Sequence, residues 1–192
     1  VDYSAQKWGQ IMLFCCQLRR TDQYLDPTHQ KYWGWKSPEN VKNPRPEILK
    51  ACLHLLGYCF VHDVNPYDCG TPVLQDQHRK VWLRQTAFLK GWDEKISFVP
   101  YWNSTMFYTV KSGSPERIMV SAYVRDGRAV LYLMNDTDQI QDVTVKVDAA
   151  RLLNRPGKAL KVIDFNGAES DSPDGIISVR IPPRIFETRY LR

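Results

Sequence analysis

The sequence predicts an α/β, helix-rich first half followed by an antiparallel β-sandwich. Three observations predict it. Apolar residues before about residue 95 recur at helical spacing, interrupted by one β-branched and aromatic run. From about residue 96 the apolar period changes to two. Turn pairs then punctuate the chain at Asp126–Gly127, Asn166–Gly167, Asp174–Gly175 and Pro182–Pro183. The expected organisation is a helix-rich α/β region over residues 1–95 and a sandwich domain over 96–192.

The elements follow in order. "AQKWGQIMLFCCQLRR" (5–20) places Trp8, Ile11, Met12, Cys15, Cys16 and Leu18 on roughly one side of a helix. Arg19 and Arg20 would oppose the negative end of its dipole. Residues 21–46 are polar and rich in Pro, Trp and Tyr, which reads as a long irregular loop, of a length usually functional or poorly ordered. A second helix is expected from Pro46, with Ile48, Cys52, Leu55 and Leu56 on its apolar face, interrupted at Gly57. "YCFVHDV" (58–64) has the composition of a short buried strand. A third helix is expected from the Thr71 cap, with Pro72 in its first turn. Leu74, Val81, Trp82, Gln85, Phe88 and Leu89 form its mostly apolar stripe, and it ends near Gly91. Helix, strand, helix is an α/β rhythm.

"RIMVSAYV" (117–124) sets Ile118, Val120, Ala122 and Val124 against Met119, Ser121 and Tyr123. Asp126–Gly127 predicts a two-residue hairpin turn into "RAVLYLMN" (128–135). "DVTVKVD" (142–148), "ALKVIDF" (159–165), "IISVRI" (176–181) and "RIFETRYL" (184–191) supply further short strands. Six or more such strands argue for an antiparallel sandwich.

Composition narrows the function. An apolar fraction of 43% and a charged fraction of 24% are those of an ordinary globular chain. The formal charge of +5 is spread without basic runs, so nucleic acid is not the expected partner. No apolar run is long enough to span a bilayer, so no membrane association is expected. The five cysteines, at 15, 16, 52, 59 and 69, are odd in number and form no CxxC pair. Buried thiols are expected rather than a disulfide framework or a thiolate zinc site. No phosphate-cradling or dinucleotide glycine motif occurs, and neither a metal nor a cofactor is expected.

The tail "VRDGRAVLYLMNDTDQIQDVTVKVD … KVIDFNGAESDSPDGIISVRIPPRIFETRYL" resembles the C-terminal β-sandwich that follows the catalytic (β/α)8 barrel in many glycoside hydrolases. "LLGYCFVHDVNPY", the helix to Trp92 and "FVPYWNS" resemble the last barrel strand, its helix and the link into the sandwich. The group this is most similar to is a set of large bacterial proteins related to glycoside hydrolase family 123. The resemblance implies a carbohydrate-active protein, hydrolysing or binding an oligosaccharide or polysaccharide. A whole barrel needs about 250 residues, and only about 95 precede the sandwich here. The chain is therefore expected to be either the C-terminal part of a longer enzyme, with a barrel fragment, or a protein with a reduced α/β portion. A non-catalytic carbohydrate-binding or structural sandwich module is the alternative function.

His62 and Asp63 are expected at the end of the buried strand, where ligands bind in barrels and open α/β folds. Asp63 would serve as acid, base or hydroxyl acceptor, with His62 tuning its charge. The competing role is a turn cap at Asp63 and a satisfied interior ring at His62. Asp68 is a second candidate carboxylate, since glycoside hydrolysis ordinarily uses two. Tyr32, Trp33 and Trp35 are the candidate sugar platform, because residues flanking Gly34 point to one side of an extended segment. Their competing role is to anchor the loop. Tyr101 and Trp102 are expected to pack the link between the halves. Cys69 with His62 is conceivable as a nucleophilic pair but lacks the surrounding strand-to-helix pattern.

Overall fold

The computed structural model describes residues 11–14, 43–44, 46–67, 72–155 and 159–192. In chain order its elements begin with β1 (Ile11–Phe14), α1 (Pro46–Val61), β2 (Val64–Tyr67), α2 (Pro72–Leu89), β3 (Ser97–Val99) and β4 (Tyr108–Lys111). They continue with β5 (Ile118–Arg125), β6 (Arg128–Asn135), β7 (Gln141–Val147), α3 (Ala149–Leu153), β8 (Leu160–Ile163), β9 (Glu169–Ser172), β10 (Ile176–Ile181) and β11 (Phe186–Leu191). The described residues are mostly antiparallel sheet with few helices.

The Asp126–Gly127 signal folds as expected. Both residues have positive φ, 47° and 72°, as a two-residue turn of mirror-image type requires. The turn pairs β5 with β6 along their full length. These strands lie inside a six-stranded antiparallel sheet of order β3-β5-β6-β11-β8-β9. A three-stranded antiparallel sheet, β10-β7-β4, faces it.

Alternation decides what each face covers. Ile118, Val120 and Ala122 of β5 and Ala129, Leu131 and Leu133 of β6 point into the space between the two sheets. There they meet Val143, Val145 and Val147 of β7 and Ile177, Val179 and Ile181 of β10. Met119 and Tyr123, with Val130, Tyr132 and Met134, point the other way. They pack against Cys52, Leu56 and Phe60 of α1 and Leu74, Val81 and Leu89 of α2. The central strands β5 and β6 are thus buried on both faces, while β7 and β10 alternate buried and exposed residues as one-sided strands do.

Three sequence expectations are corrected. Residues 11–14 form a strand that pairs in parallel with β2, Ile11 opposite Val64 and Phe14 opposite Tyr67. The expected helix over 5–20 rested on Trp8, Ile11, Met12, Cys15, Cys16 and Leu18 sharing one side, but Ile-Met-Leu-Phe is a continuous apolar run, which fits strand and helix alike. Gly57 does not interrupt α1. A Cβ there would press on the Met134 sulfur and come within 3.1 Å of Phe186 Cβ, so glycine lets the helix lie close on the sheet. In consequence residues 58–61 are helical, and the strand falls at 64–67 instead of 58–64. α3 was not anticipated; Asp148 caps it by accepting from the Arg151 amide at 3.0 Å. No described helix is long and apolar enough to cross a membrane.

Candidate functional site

The helical continuation of α1 assembles an aromatic file that a strand would have scattered. His54, Tyr58 and His62 recur every four residues and therefore lie along one helix face. Their ring centroids are 5.2 and 6.0 Å apart in succession. The short 3-10 turn Tyr101–Asn103 extends the file. Trp102 stacks on His62 at 5.7 Å, and Tyr101 meets His62 edge-on at 5.4 Å. The turn is pinned to the end of α1 through Ser121. The Tyr101 amide donates to the Ser121 hydroxyl at 3.0 Å, and that hydroxyl donates to the Val61 carbonyl at 2.8 Å. Tyr101 and Trp102 thus pack against the end of α1.

His62 is only 4% exposed. Its Nδ1 lies 2.8 Å from the Tyr58 carbonyl, which can only accept, so Nδ1 carries the proton. Nε2 then accepts from the Tyr101 hydroxyl at 3.4 Å. Asp63 is half-buried, with a left-handed backbone at φ 55°. The Tyr123 hydroxyl lies 3.1 Å from both the Asp63 carboxylate and the Phe60 carbonyl. Burial, then the Asp63 charge, pushes the Tyr123 hydroxyl well above its ordinary pKa, which keeps it a proton donor.

At the other end of the file stands Asp136, just past β6. Arg117 and Arg184 each approach its carboxylate at 2.6 Å, on different oxygens. His54 Nε2 lies 3.4 Å away, and the Tyr58 hydroxyl also bonds to it. Partial burial would raise the Asp136 pKa. The hydrogen bonds from Tyr58 and His54 and the two guanidinium charges outweigh it, holding the carboxyl below its ordinary range. Burial lowers the His54 pKa despite the Asp136 partner. Burial, with the Asp136 bond, pushes Tyr58 up to about 12. Asp136 is therefore a fixed anion near neutrality, suited to electrostatic anchoring and unsuited to donating a proton.

The placement of the expected site residues changes with the strand. His62 and Asp63 follow α1 and precede β2, so they stand at the amino end of that strand, not at its mouth. The carboxyl ends of the parallel pair are Phe14 and Tyr67. Asp68, Cys69, Tyr32, Trp33 and Trp35 lie outside the described residues. Among the described residues no group of three or more His, Cys, Asp or Glu side chains is arranged to hold a metal.

The sequence reading missed His54, Tyr58, Asp136, Arg117 and Arg184. The four-residue spacing of His54, Tyr58 and His62 was a usable signal, hidden by the assignment of 58–64 to a strand. The joining of Arg117, Asp136 and Arg184 had no local signal, because it depends on how β5, β6 and β11 are ordered in the sheet.

No protein-family model matches this sequence, and no curated protein matches it. Among solved structures the chain is similar to a maltogenic α-amylase from Thermotoga neapolitana, at 12% identity and TM-score 0.45, over 98% of this chain and 52% of that one. It is similar to a family 30 subfamily 8 xylanase from Clostridium acetobutylicum, at 12% identity and TM-score 0.44, over 74% of this chain and 39% of that one. It is also similar to an α-N-acetylgalactosaminidase-like protein from Bacillus halodurans, at 15% identity and TM-score 0.43, over 76% of this chain and 31% of that one. The chain spans about half or less of the length of each of these structures.

Proposed function

We propose that this chain is a carbohydrate-active protein related to glycoside hydrolases, with the last α/β elements of a barrel joined to a β-sandwich. The observation that carries the reading is the parallel β1–β2 pair, with α1 between the strands in sequence and α2 directly after them. Parallel strands alternating with helices are the repeat unit of a (β/α) barrel. The antiparallel sandwich then follows in the order that the resemblance to the family 123-like group implies.

This reading moves the expected chemistry. In such folds ligands bind beyond the carboxyl ends of the strands. Here that end lies past Phe14 and Tyr67. Asp68 comes next after Tyr67 in sequence and is the carboxylate assigned to catalysis. Tyr32, Trp33 and Trp35 fall in the connection that leaves β1 from the same end, which supports their role as a sugar platform. His62 and Asp63 belong to the opposite end, where side chains serve stability. The hydrogen bonds to both ring nitrogens of His62 support that assignment.

The test is a panel of aryl glycosides and soluble polysaccharides offered to the full chain as its host produces it. The expected result is saturable glycan binding with turnover of at least one aryl glycoside. Asp68→Asn should abolish turnover and keep binding. Replacing Trp33 and Trp35 together by Ala should weaken binding by about tenfold or more. A chain that neither binds any glycan nor hydrolyses any aryl glycoside would overturn the proposal.

A further inference from the structure

A cavity of about 540 Å³ opens far in sequence from the aromatic file, between the end of α2, the β5–β6 turn and the end of α3. Its walls include Lys90, Asp126, Arg128, Asn154 and Arg155. Its volume falls in the range of small-molecule sites and suits a body of disaccharide size.

The charges in it are unbalanced. Lys90, Arg128 and Arg155 have no carboxylate partner among the described residues. Asp126, the acidic side chain of the wall, already faces Arg125 at 3.4 Å. The two guanidinium groups are also fixed in place. Arg128 donates through Nη1 to the Phe88 carbonyl at 2.8 Å, and its guanidinium lies 5.4 Å from the Phe88 ring centroid. Arg155 packs its stem over the turn, so closely that a Cβ on Gly127 would come within 2.7 Å of its Cδ. It also reaches the Gly127 carbonyl at 3.5 Å. Each guanidinium thus spends one donor on a backbone carbonyl of another element and keeps the rest of its planar fork for a ligand. Concave, preorganised and unneutralised, these groups suit an anion with more than one charged group.

We propose that this cavity binds a small oligoanion, a body of disaccharide size or less carrying two or more phosphate, sulfate or carboxylate groups. Lys90 supplies a mobile point charge, and Arg128 and Arg155 supply directional pairs of N–H donors. The site uses none of the residues assigned to glycan chemistry above. Loss of the one activity with the other intact therefore tells the two proposals apart.

The experiment is calorimetric titration of the full chain with pyrophosphate, a disulfated disaccharide and digalacturonate, with maltose as the neutral comparator. The expected result is sub-millimolar binding of at least one oligoanion at low salt, weakening as salt rises. The tightest of the three arms identifies phosphate, sulfate or carboxylate as the group read. Arg155→Gln and Lys90→Gln should each weaken binding by about tenfold. Lys90 is exposed, so Lys90→Gln tests the site without threatening the fold. No oligoanion binding below about 1 mM, or binding unchanged in Lys90→Gln, would overturn the proposal.

Discussion

The two faces of the six-stranded sheet differ in kind. The face toward the three-stranded sheet is aliphatic, built from Val, Leu, Ile and Ala, and Tyr108 of β4 is the buried aromatic of the layer it meets. The face toward the helices is aromatic and partly polar. Phe60 stacks on Tyr132 at 4.5 Å, and Trp82, Trp92 and Tyr123 form a chain with centroids 4.6 and 5.0 Å apart. Gln85 is fully buried there and accepts from the Tyr132 hydroxyl. The difference teaches where specificity resides. An aliphatic core asks for volume, and many sequences fill it. A buried amide and phenol ask for particular partners, so the helix layer is held in one register.

Adjacent residues of β6 sharpen the contrast, since Leu131 faces the sandwich and Tyr132 the helices. Leu131→Ala should have the largest effect, about 3 kcal/mol or more of stability lost in urea unfolding, from the cavity it leaves. Gly57→Val should cost about 2 kcal/mol, by wedging α1 off Met134 and Phe186. Tyr132→Phe should cost about 1 kcal/mol, because it strands the Gln85 acceptor while preserving volume. Equal losses in Leu131→Ala and Tyr132→Phe would break the comparison. The smallest effect is a change of shape in the pH profile. The Asp136 pKa is lowered in the fold, so its contribution is full above the ordinary carboxylate value of 3.8 and disappears as pH falls through its native value. Asp136→Asn should therefore flatten the acid limb of the stability curve; an acid limb of unchanged steepness would refute the role given to the two arginines.

The sequence made the sandwich half readable and the helical half less so, for a physical reason. β7 and β10 keep one face in water, so their alternation was plain in "DVTVKVD" and "IISVRI". The β5–β6 turn announced itself through the backbone demand of Asp126–Gly127. β5 and β6 also alternate, but the second covering layer shows only in the fold, where Met119, Tyr123, Tyr132 and Met134 pack against α1 and α2. α1 is apolar on several sides, and there periodicity no longer separates helix from strand. Gly57 looked like a break because its role is an approach between elements, which propensity does not register. That one misreading moved the strand by several residues and carried His62 and Asp63 to its wrong end. The Arg117–Asp136–Arg184 cluster was legible only from strand order.

For a chain of the proposed kind, the reactive end would lie beyond Tyr67 and the His62–Asp63 turn would serve the fold alone. The most direct measurement compares Asp63→Asn with Asp68→Asn in aryl glycoside turnover and thermal unfolding side by side. Asp63→Asn should lower the unfolding temperature and leave turnover per folded molecule intact, while Asp68→Asn should abolish turnover and leave the unfolding temperature unchanged. Turnover lost in Asp63→Asn at unchanged stability, with Asp68→Asn fully active, would contradict it.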